Sequence, residues 1–410
     1  MNKKRLSIQE NIIWNTIGSI MYMVTQWLIT ILVVRIAGVE TAGNLTLAIS
    51  VNNIFYSIAM FGIRNYQVSD VSEKYSNKTY IHSRMVSCLM ATILCWGYCM
   101  VIGYSSVQKV CIITYCLFKM SEAFYDVYAG IEQREWRMDY IGKSWMYRGI
   151  VTFICFLCGL YLTKNLSIAI MGMVISSFLI IILYDIPATK KIANINTVSS
   201  IDSCMCLMKE CFPLLCYLIL STVVTMLPRL IMERKLGSYA LGVYGSVSAP
   251  TVIVQMGASY IFNPFMTLFA EQYNNGQQKE FWSTFRKCLL GIVGISIISL
   301  AGGKLLGVWG LNLLYGKEIA EYVDLLLPLI CSTVLTAFIW FLCGLSTVVR
   351  DFKGLIISNV IALIISFYSS FILIDRFTMQ GATMALIVSL LIEALFIILF
   401  LKKKVEIEKL

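Results

Sequence analysis

Three charged side chains stand inside a long apolar run of the sequence, where ionic chemistry is unusual. Lys119, Glu122 and Asp126 occupy positions i, i+3 and i+7 of this run, and Tyr115 precedes them by one turn. On a helix they fall within roughly 60° of one another, so they form one charged stripe. Its carboxylates could bind a coupling proton or sodium ion, and its ammonium group could bind an anion.

The charged stripe, meaning Lys119, Glu122 and Asp126, has two interpretations. A charge at the bilayer centre costs at least ~2.5 kcal/mol, so the stripe must face protein or water, and charges at such a depth usually mark a transport path. The alternative is helix-to-helix packing, in which Lys119 neutralises Glu122 while Asp126 bonds to a neighbouring helix. Both interpretations stay open at this point.

The composition identifies an integral membrane protein. Of 410 residues, 14% are charged and 58% are hydrophobic. The hydrophobic fraction is well above the ~45–50% apolar usage of soluble domains. Charges cluster at the ends of apolar runs of about 20 residues, the length that spans a bilayer. We expect an all-α protein with about twelve transmembrane helices, at 11–36, 41–61, 85–103, 111–131, 149–162, 167–186, 212–231, 240–267, 288–308, 323–349, 355–374 and 381–401.

The basic residues predict the orientation of these helices. Of the 33 Lys and Arg residues, 23 fall on one side of the membrane and 8 on the other, while Lys119 and Arg229 lie within spans. Because cytoplasmic loops carry the excess of positive charge, both termini are expected to be cytoplasmic.

The two halves of the chain repeat. Arg35-Ile-Ala-Gly38 returns 199 residues later as Arg234-Lys-Leu-Gly237, and Ser72-Glu-Lys-Tyr75 is similar to Ala270-Glu-Gln-Tyr273. Six predicted spans separate the copies, so the two halves form parallel six-helix repeats. The expected domains are an N-terminal bundle at 1–188, a cytoplasmic linker at 189–210 and a C-terminal bundle at 211–410.

The repeat also bears on the charged stripe. Ala123-Phe124 and Gly130-Ile131 return 214 residues later as Ala337-Phe338 and Gly344-Leu345, which places neutral residues opposite the stripe: Thr333, Thr336 and Trp340. Since only the first half carries charges there, a specialised task is favoured over a packing requirement.

Signatures of enzymes are absent from the sequence. It contains no Walker loop, no histidine-rich cluster and no nucleophile elbow, so we expect no enzymatic activity, no cofactor and no bound metal. A membrane-embedded glycan polymerase, the alternative from another functional class, would need a long outer loop, and the longest predicted here is 309–322.

The chain resembles the Wzx-type O-antigen and capsular polysaccharide flippases, the polysaccharide-exporter branch of the multidrug/oligosaccharidyl-lipid/polysaccharide (MOP) superfamily. The resemblance covers nearly the whole chain and includes Trp14-Asn15, Arg35-Ile-Ala-Gly38 and the loop Arg64-Asn-Tyr-Gln-Val-Ser-Asp70 with Tyr75 and Arg84. It implies a MATE/MOP-like bundle in the bacterial cytoplasmic membrane.

The resemblance further implies export of an undecaprenyl-pyrophosphate-linked oligosaccharide to the outer leaflet by alternating access. Glycosyltransferases and a glycan polymerase would be its pathway partners, and nucleic acid would not be one. Basic side chains in or beside spans suit a pyrophosphate, and the candidates are Arg35, Lys119, Arg229 and Arg234. Arg35 and Arg234 have an alternative role, snorkelling to the outer interface.

Glu122, Asp126 and Tyr115 are the candidates for the cavity and the coupling ion (H⁺ or Na⁺). The main alternative in the same fold is a multidrug cation antiporter.

Overall fold

The computed structural model describes residues 6–70, 73–195 and 198–407. In these residues every regular element is helical, as expected for an all-α protein. The α-helices are α1 Ile8–Ala37, α2 Val39–Met60, α3 Ile63–Ser69, α4 Asn77–Val101, α5 Ser106–Arg134, α6 Met138–Thr163, α7 Leu166–Ile180, α8 Ile186–Ile192, α9 Ile201–Ser248, α10 Val252–Phe262, α11 Met266–Asn274, α12 Gln278–Tyr315, α13 Lys317–Ala320, α14 Leu326–Val348 and α15 Phe352–Ile407.

The protein is a multi-pass integral membrane protein. Nine helices of the described residues are long and apolar enough to cross a bilayer. Two of them, of 59 and 55 residues, would measure ~80–90 Å if straight, far more than a ~30 Å hydrocarbon core. Each is interrupted by a non-helical residue, Gly237 in α9 and Thr378 in α15. Helix α5, which carries the charged stripe, is not among the nine, and the count of twelve stays a prediction.

Polar caps fix the starts of several helices in the first half. Ser7 and Ser105 form capping boxes with Glu10 and Gln108 at the starts of α1 and α5. Ser76 accepts a hydrogen bond from the Thr79 amide at the start of α4. These side chains satisfy backbone N–H groups that have no partner within the helix, each contributing ~1 kcal/mol.

Two compact units divide the chain, Met1–Ile219 and Leu220–Leu410. The boundary lies inside α9, which begins at Ile201. The proposed domains at 1–188, 189–210 and 211–410 stay a prediction.

In the first unit, α5 is the central helix and packs against α2, α4 and α7. Helices α1 and α6 meet through glycines: a Cβ atom built on Gly142 would lie 2.3 Å from the Trp14 carbonyl oxygen, and one on Gly18 would lie 2.4 Å from the Gly142 oxygen. Small residues of this kind permit close helix packing within membranes. The unit is thus a bundle built around the helix of the charged stripe.

The repeat is visible in the backbone. Gly38, between α1 and α2, has φ 85° and ψ 170°, and Gly237 has φ 81° and ψ 176° within α9. Residues with a side chain rarely adopt this positive-φ conformation, so glycine is required where the first helix of each half turns into the second. Ser72, part of the other repeated segment, lies outside the described residues.

The second unit has more interruptions. Pro250 and Pro264 lie in short 3₁₀ turns, Ala249–Thr251 and Asn263–Phe265, which flank α10. Proline removes a backbone donor, so it favours such breaks. Helix α14 packs against α10, α12 and α15. Phe341 of α14 contacts the rings of four further phenylalanines, Phe262, Phe269, Phe285 and Phe338.

Two predicted helix starts in the first half were wrong. The spans expected at 85–103 and 149–162 begin at Asn77 and Met138 instead. Arg84 and Arg148, which immediately precede the expected starts, therefore lie within helices, and both side chains are fully buried. The prediction failed because it ended each span at its first charged residue, whereas protein groups solvate these two guanidinium groups.

Candidate functional site

Lys119 and Glu122 form an ion pair on α5. The Lys119 Nζ atom lies 2.6 Å from Glu122 Oε2, and the exposed fractions of the two side chains are 17% and 2%. Aromatic rings surround the ammonium group, at 5.2 Å for Tyr56 of α2, 5.9 Å for Tyr115 and 5.8 Å for Phe118. Tyr115, Lys119 and Glu122 are thus brought together, and cation–π attraction adds to the charge pair.

Asp126 belongs to a separate cluster. Its Oδ2 atom lies 2.8 Å from an Arg84 nitrogen and its Oδ1 atom 2.7 Å from an Arg64 nitrogen. Arg84 also donates to the carbonyl oxygens of Ala59 and Met60, both at 2.7 Å. One carboxylate therefore joins α3 and α4 to α5. We call Arg64, Arg84 and Asp126 the arginine clamp.

Beside the clamp, polar side chains organise the segment that follows α3. Asp70 accepts hydrogen bonds from the Lys74 and Tyr75 amides and from the Tyr80 hydroxyl, at 2.9, 3.1 and 2.8 Å. Lys74 Nζ lies 2.5 Å from Glu210 Oε1 of α9, and this hydrogen bond raises the pKa of Lys74. These contacts tie the segment to the beginning of α9.

A third buried cluster joins α5, α6 and the π-helical turn Ile181–Asp185 that follows α7. Arg148 is 3.0 Å from Asp185 Oδ2, both side chains being fully buried. Arg148 also donates to the Ser177 hydroxyl, and its guanidinium lies 4.7 Å from the centre of the Tyr125 ring. Neither Arg148 nor Asp185 was among the candidate residues predicted from the sequence. A fully buried ion pair is well placed to hold the three elements together.

Sequence reasoning also missed Glu132. This residue is 1% exposed, and its Oε1 atom accepts a hydrogen bond of 3.0 Å from the Thr189 hydroxyl of α8. Glu132 and Asp185 stand at the ends of long apolar runs, where a sequence alone does not distinguish buried from exposed acids, so the sequence carried no clear signal for either.

The remaining candidates lie elsewhere. Arg35 is exposed in the last turn of α1, and Arg234 is exposed in the second unit, three residues before Gly237. Arg229 of the second unit places its guanidinium 5.6 Å from the centre of the Tyr244 ring, and its buried Nε atom has no hydrogen-bond partner. Arg229 therefore retains a donor for an anionic ligand.

The positions opposite the charged stripe in the second half are occupied by neutral contacts on α14. The hydroxyl groups of Thr333 and Thr251 lie 2.8 Å apart, and the Thr336 hydroxyl donates to the Ser332 carbonyl oxygen at 2.8 Å. Trp340 is half exposed. The ion pairs of the stripe thus belong to the first unit alone among these equivalent positions.

Comparison with known proteins agrees with this architecture. Residues 8–269 match the family described as polysaccharide biosynthesis protein. The capsular polysaccharide biosynthesis protein CapF of Staphylococcus aureus is 25% identical over 380 residues, covering 91% of this chain and 94% of CapF.

Solved structures show the same fold at low sequence identity. The lipid II flippase MurJ in an inward closed conformation has a TM-score of 0.75 at 13% identity, with 95% of this chain and 87% of that chain covered. An inward-facing MATE multidrug transporter of the MOP superfamily has a TM-score of 0.75 at 10% identity, with 97% and 99% covered. The resemblance seen in the sequence is thus confirmed. Since the family match spans well over half of the sequence, the chain belongs to the polysaccharide biosynthesis protein family.

Proposed function

We propose that this protein is a flippase that moves an undecaprenyl-pyrophosphate-linked oligosaccharide repeat unit from the cytoplasmic to the outer leaflet by alternating access, for O-antigen or capsule biosynthesis. The observation that carries the proposal is the family match, together with a capsular polysaccharide relative that aligns along nearly the whole chain. The fold shared with a lipid II flippase is consistent with a lipid-linked substrate.

The chemistry of the described residues supports an anionic headgroup. In the first unit, Glu122, Asp126 and Asp185 are each ion-paired with a lysine or arginine, so these acids are already neutralised. A diphosphate could replace Glu122 at Lys119, and it could accept the unused Nε–H donor of Arg229. Arg35 and Arg234, at equivalent ends of two helices, are the further candidates for contact with the substrate.

The proposed location is the bacterial cytoplasmic membrane with both termini in the cytoplasm, as the distribution of basic residues predicts. Glycosyltransferases must supply the lipid-linked repeat unit on the inner face, and a polymerase must consume it on the outer face. Export of the repeat unit would therefore stand between two enzymatic steps.

The test is extraction of isoprenoid-linked oligosaccharide from cells lacking the gene and from complemented cells. We expect the null cells to accumulate repeat units on the cytoplasmic leaflet, to lose the corresponding surface glycan, and to keep wild-type resistance to cationic dyes. Absence of accumulation together with a drug phenotype would favour the second candidate, a multidrug cation antiporter, which the similarity to MATE transporters keeps in view.

A further inference from the structure

One acidic side chain of the second unit is buried without a cation. Glu393 lies in the part of α15 that follows the break at Thr378, and it is 1% exposed. It is the only charged residue between Met379 and Leu401, a stretch long enough to span a bilayer. Among the residues that the structure describes, no ion pair involves Glu393.

The Glu393 carboxylate also has an unsatisfied oxygen. Its Oε1 atom has no hydrogen-bond partner, and neither does the buried Oδ1 atom of Asn359. The two segments of α15 run antiparallel: a Cβ on Gly354 would lie 2.8 Å from Phe400 Cβ, and one on Gly381 would lie 2.0 Å from the Leu373 oxygen. This register places Glu393 opposite the turn 358–362, which carries the buried Asn359.

Charged groups on the neighbouring elements do not compensate Glu393. Helix α14 contains no charged residue, and Arg286 and Lys287 of α12 are exposed. On α9, Arg229 contacts the Tyr244 ring. The Tyr244 hydroxyl accepts a hydrogen bond from Thr383, ten residues or ~15 Å along the helix from Glu393.

The remaining charges of α9 and α15 in the second unit also lie away from Glu393 along the chain. Lys235 of α9 pairs with the exposed Asp375 at the other end of the hairpin. The adjacent Glu233 and Arg234 stand beside Gly237, at that same turn of α9. Arg376, exposed, lies next to the break at Thr378, and Lys402, Lys403 and Lys404 follow beyond the apolar stretch.

An ionised carboxylate in such surroundings is expensive, because neither water nor a counter-ion stabilises it. The protonated form is neutral, so it avoids this cost. We infer that Glu393 is the site at which a proton binds and is carried when the protein changes between its two access states. This inference rests on the proposed transport function, and it supplies a coupling ion and its site.

Coupling at Glu393 differs from coupling at the acids of the charged stripe. Glu122 and Asp126 are held by Lys119 and by two arginines, so a proton arriving there must displace a cation. At Glu393 a proton adds to a carboxylate and is released from it with no other bond exchanged. A state that opens the Glu393 side of α15 to water would release the proton.

The first test is infrared spectroscopy of the purified full-length protein through a pH titration. At neutral pH, where exposed acids are ionised, the carbonyl stretch of protonated carboxylic acids should be present in the wild type, and the component that belongs to Glu393 should be lost in Glu393→Gln. It should remain in the control Glu406→Gln, which removes an exposed acid of the same helix. A spectrum without that band, or a band that Glu393→Gln leaves intact, would overturn the inference.

The second test is glycan export by cells with and without a protonophore. Wild type and Glu406→Gln should lose export when the proton gradient collapses. Glu393→Gln, which preserves the size and shape of the side chain but cannot release a proton, should have low export at normal abundance and no response to the protonophore. If Glu393→Gln does not accumulate, Glu393→Asp should restore both export and its protonophore response.

The two proposals fail separately. Export by Glu393→Gln at the wild-type rate, still sensitive to the protonophore, would refute the proton site and leave the flippase proposal standing. If wild-type cells instead move no lipid-linked glycan, the flippase proposal fails, while the infrared titration still decides the protonation of Glu393.

Discussion

Replacing Asp126 by asparagine removes the counter-ion of the arginine clamp. Arg84 is fully buried, and Arg64 is 25% exposed. After the substitution Arg84 keeps the carbonyl oxygens of Ala59 and Met60, but its charge is no longer paired. We therefore expect a large loss of stability, carried mainly by Arg84.

The size of the loss follows from burial. Breaking a buried ion pair from one side costs ~3–5 kcal/mol, and the two remaining carbonyl acceptors place Asp126→Asn near the lower end of that range. Removing the partly exposed partner should matter less, so Arg64→Ala should cost about 1 kcal/mol. Since folded proteins are stable by only ~5–15 kcal/mol, the first loss should lower protein abundance and the second should not.

The assay is thermal unfolding of the detergent-purified protein, monitored by size exclusion of a fluorescent fusion. The control is Asp375→Asn, which removes the acid of an ion pair with Lys235 whose aspartate is 66% exposed, and which should cost at most ~1 kcal/mol. The double variant Arg84→Met, Asp126→Leu should recover much of the stability that Asp126→Asn loses, because it removes the fully buried charge together with its counter-ion and leaves only the partly exposed Arg64 unpaired.

Wild-type stability of Asp126→Asn together with lost export would refute this reasoning. It would show that Asp126 acts in transport rather than in holding α3 and α4 against α5. Equal losses of stability for Asp126→Asn and Asp375→Asn would contradict the expectation that burial of the ion pair sets the size of the loss.

Three further predictions concern the stripe, the helix packing and the topology. Lys119→Met and Glu122→Gln should each reduce glycan export more than abundance, as measured by surface-glycan staining beside an immunoblot; normal export by both would remove this pair from the mechanism. Gly142→Ala should lower abundance because its methyl group would lie 2.3 Å from a backbone oxygen of α1, whereas Gly97→Ala, with nothing within 4 Å, should be silent; equal abundance of the two variants would contradict the close packing. A reporter fused after Leu410 should be cytoplasmic by protease protection, and an external reporter would overturn the predicted orientation.

The sequence predicted the architecture better than the helix boundaries. The glycine that ends the first helix of each half was visible as a repeat, and both glycines have the same positive-φ backbone. The all-α membrane fold followed from composition together with apolar runs of about 20 residues. The sequence did not predict which helices follow one another without a loop. Helices α9 and α15 each run through a break that hydropathy cannot distinguish from a loop.

Within the candidate site, local pairs were predictable and distant pairs were not. Spacing of i, i+3 predicted that Lys119 could bridge Glu122, and the structure has that contact. Arg84 and Asp126 are 42 residues apart, and Arg148 and Asp185 are 37 apart. A single sequence gives no reason to pair such residues, and a charged residue at the end of an apolar run is read as solvent-facing. Glu393 was missed for a related reason, since one acid in an apolar run has no spacing pattern.

The most direct test of the flippase proposal is a flipping assay with purified protein. Proteoliposomes containing an undecaprenyl-pyrophosphate-linked oligosaccharide are exposed to an external enzyme that trims its sugars, and trimming is followed over time. We predict that the wild-type protein brings the shielded half of the lipid into reach of the enzyme, while protein-free liposomes leave it shielded. Equal shielding with and without the wild-type protein would contradict the flippase assignment.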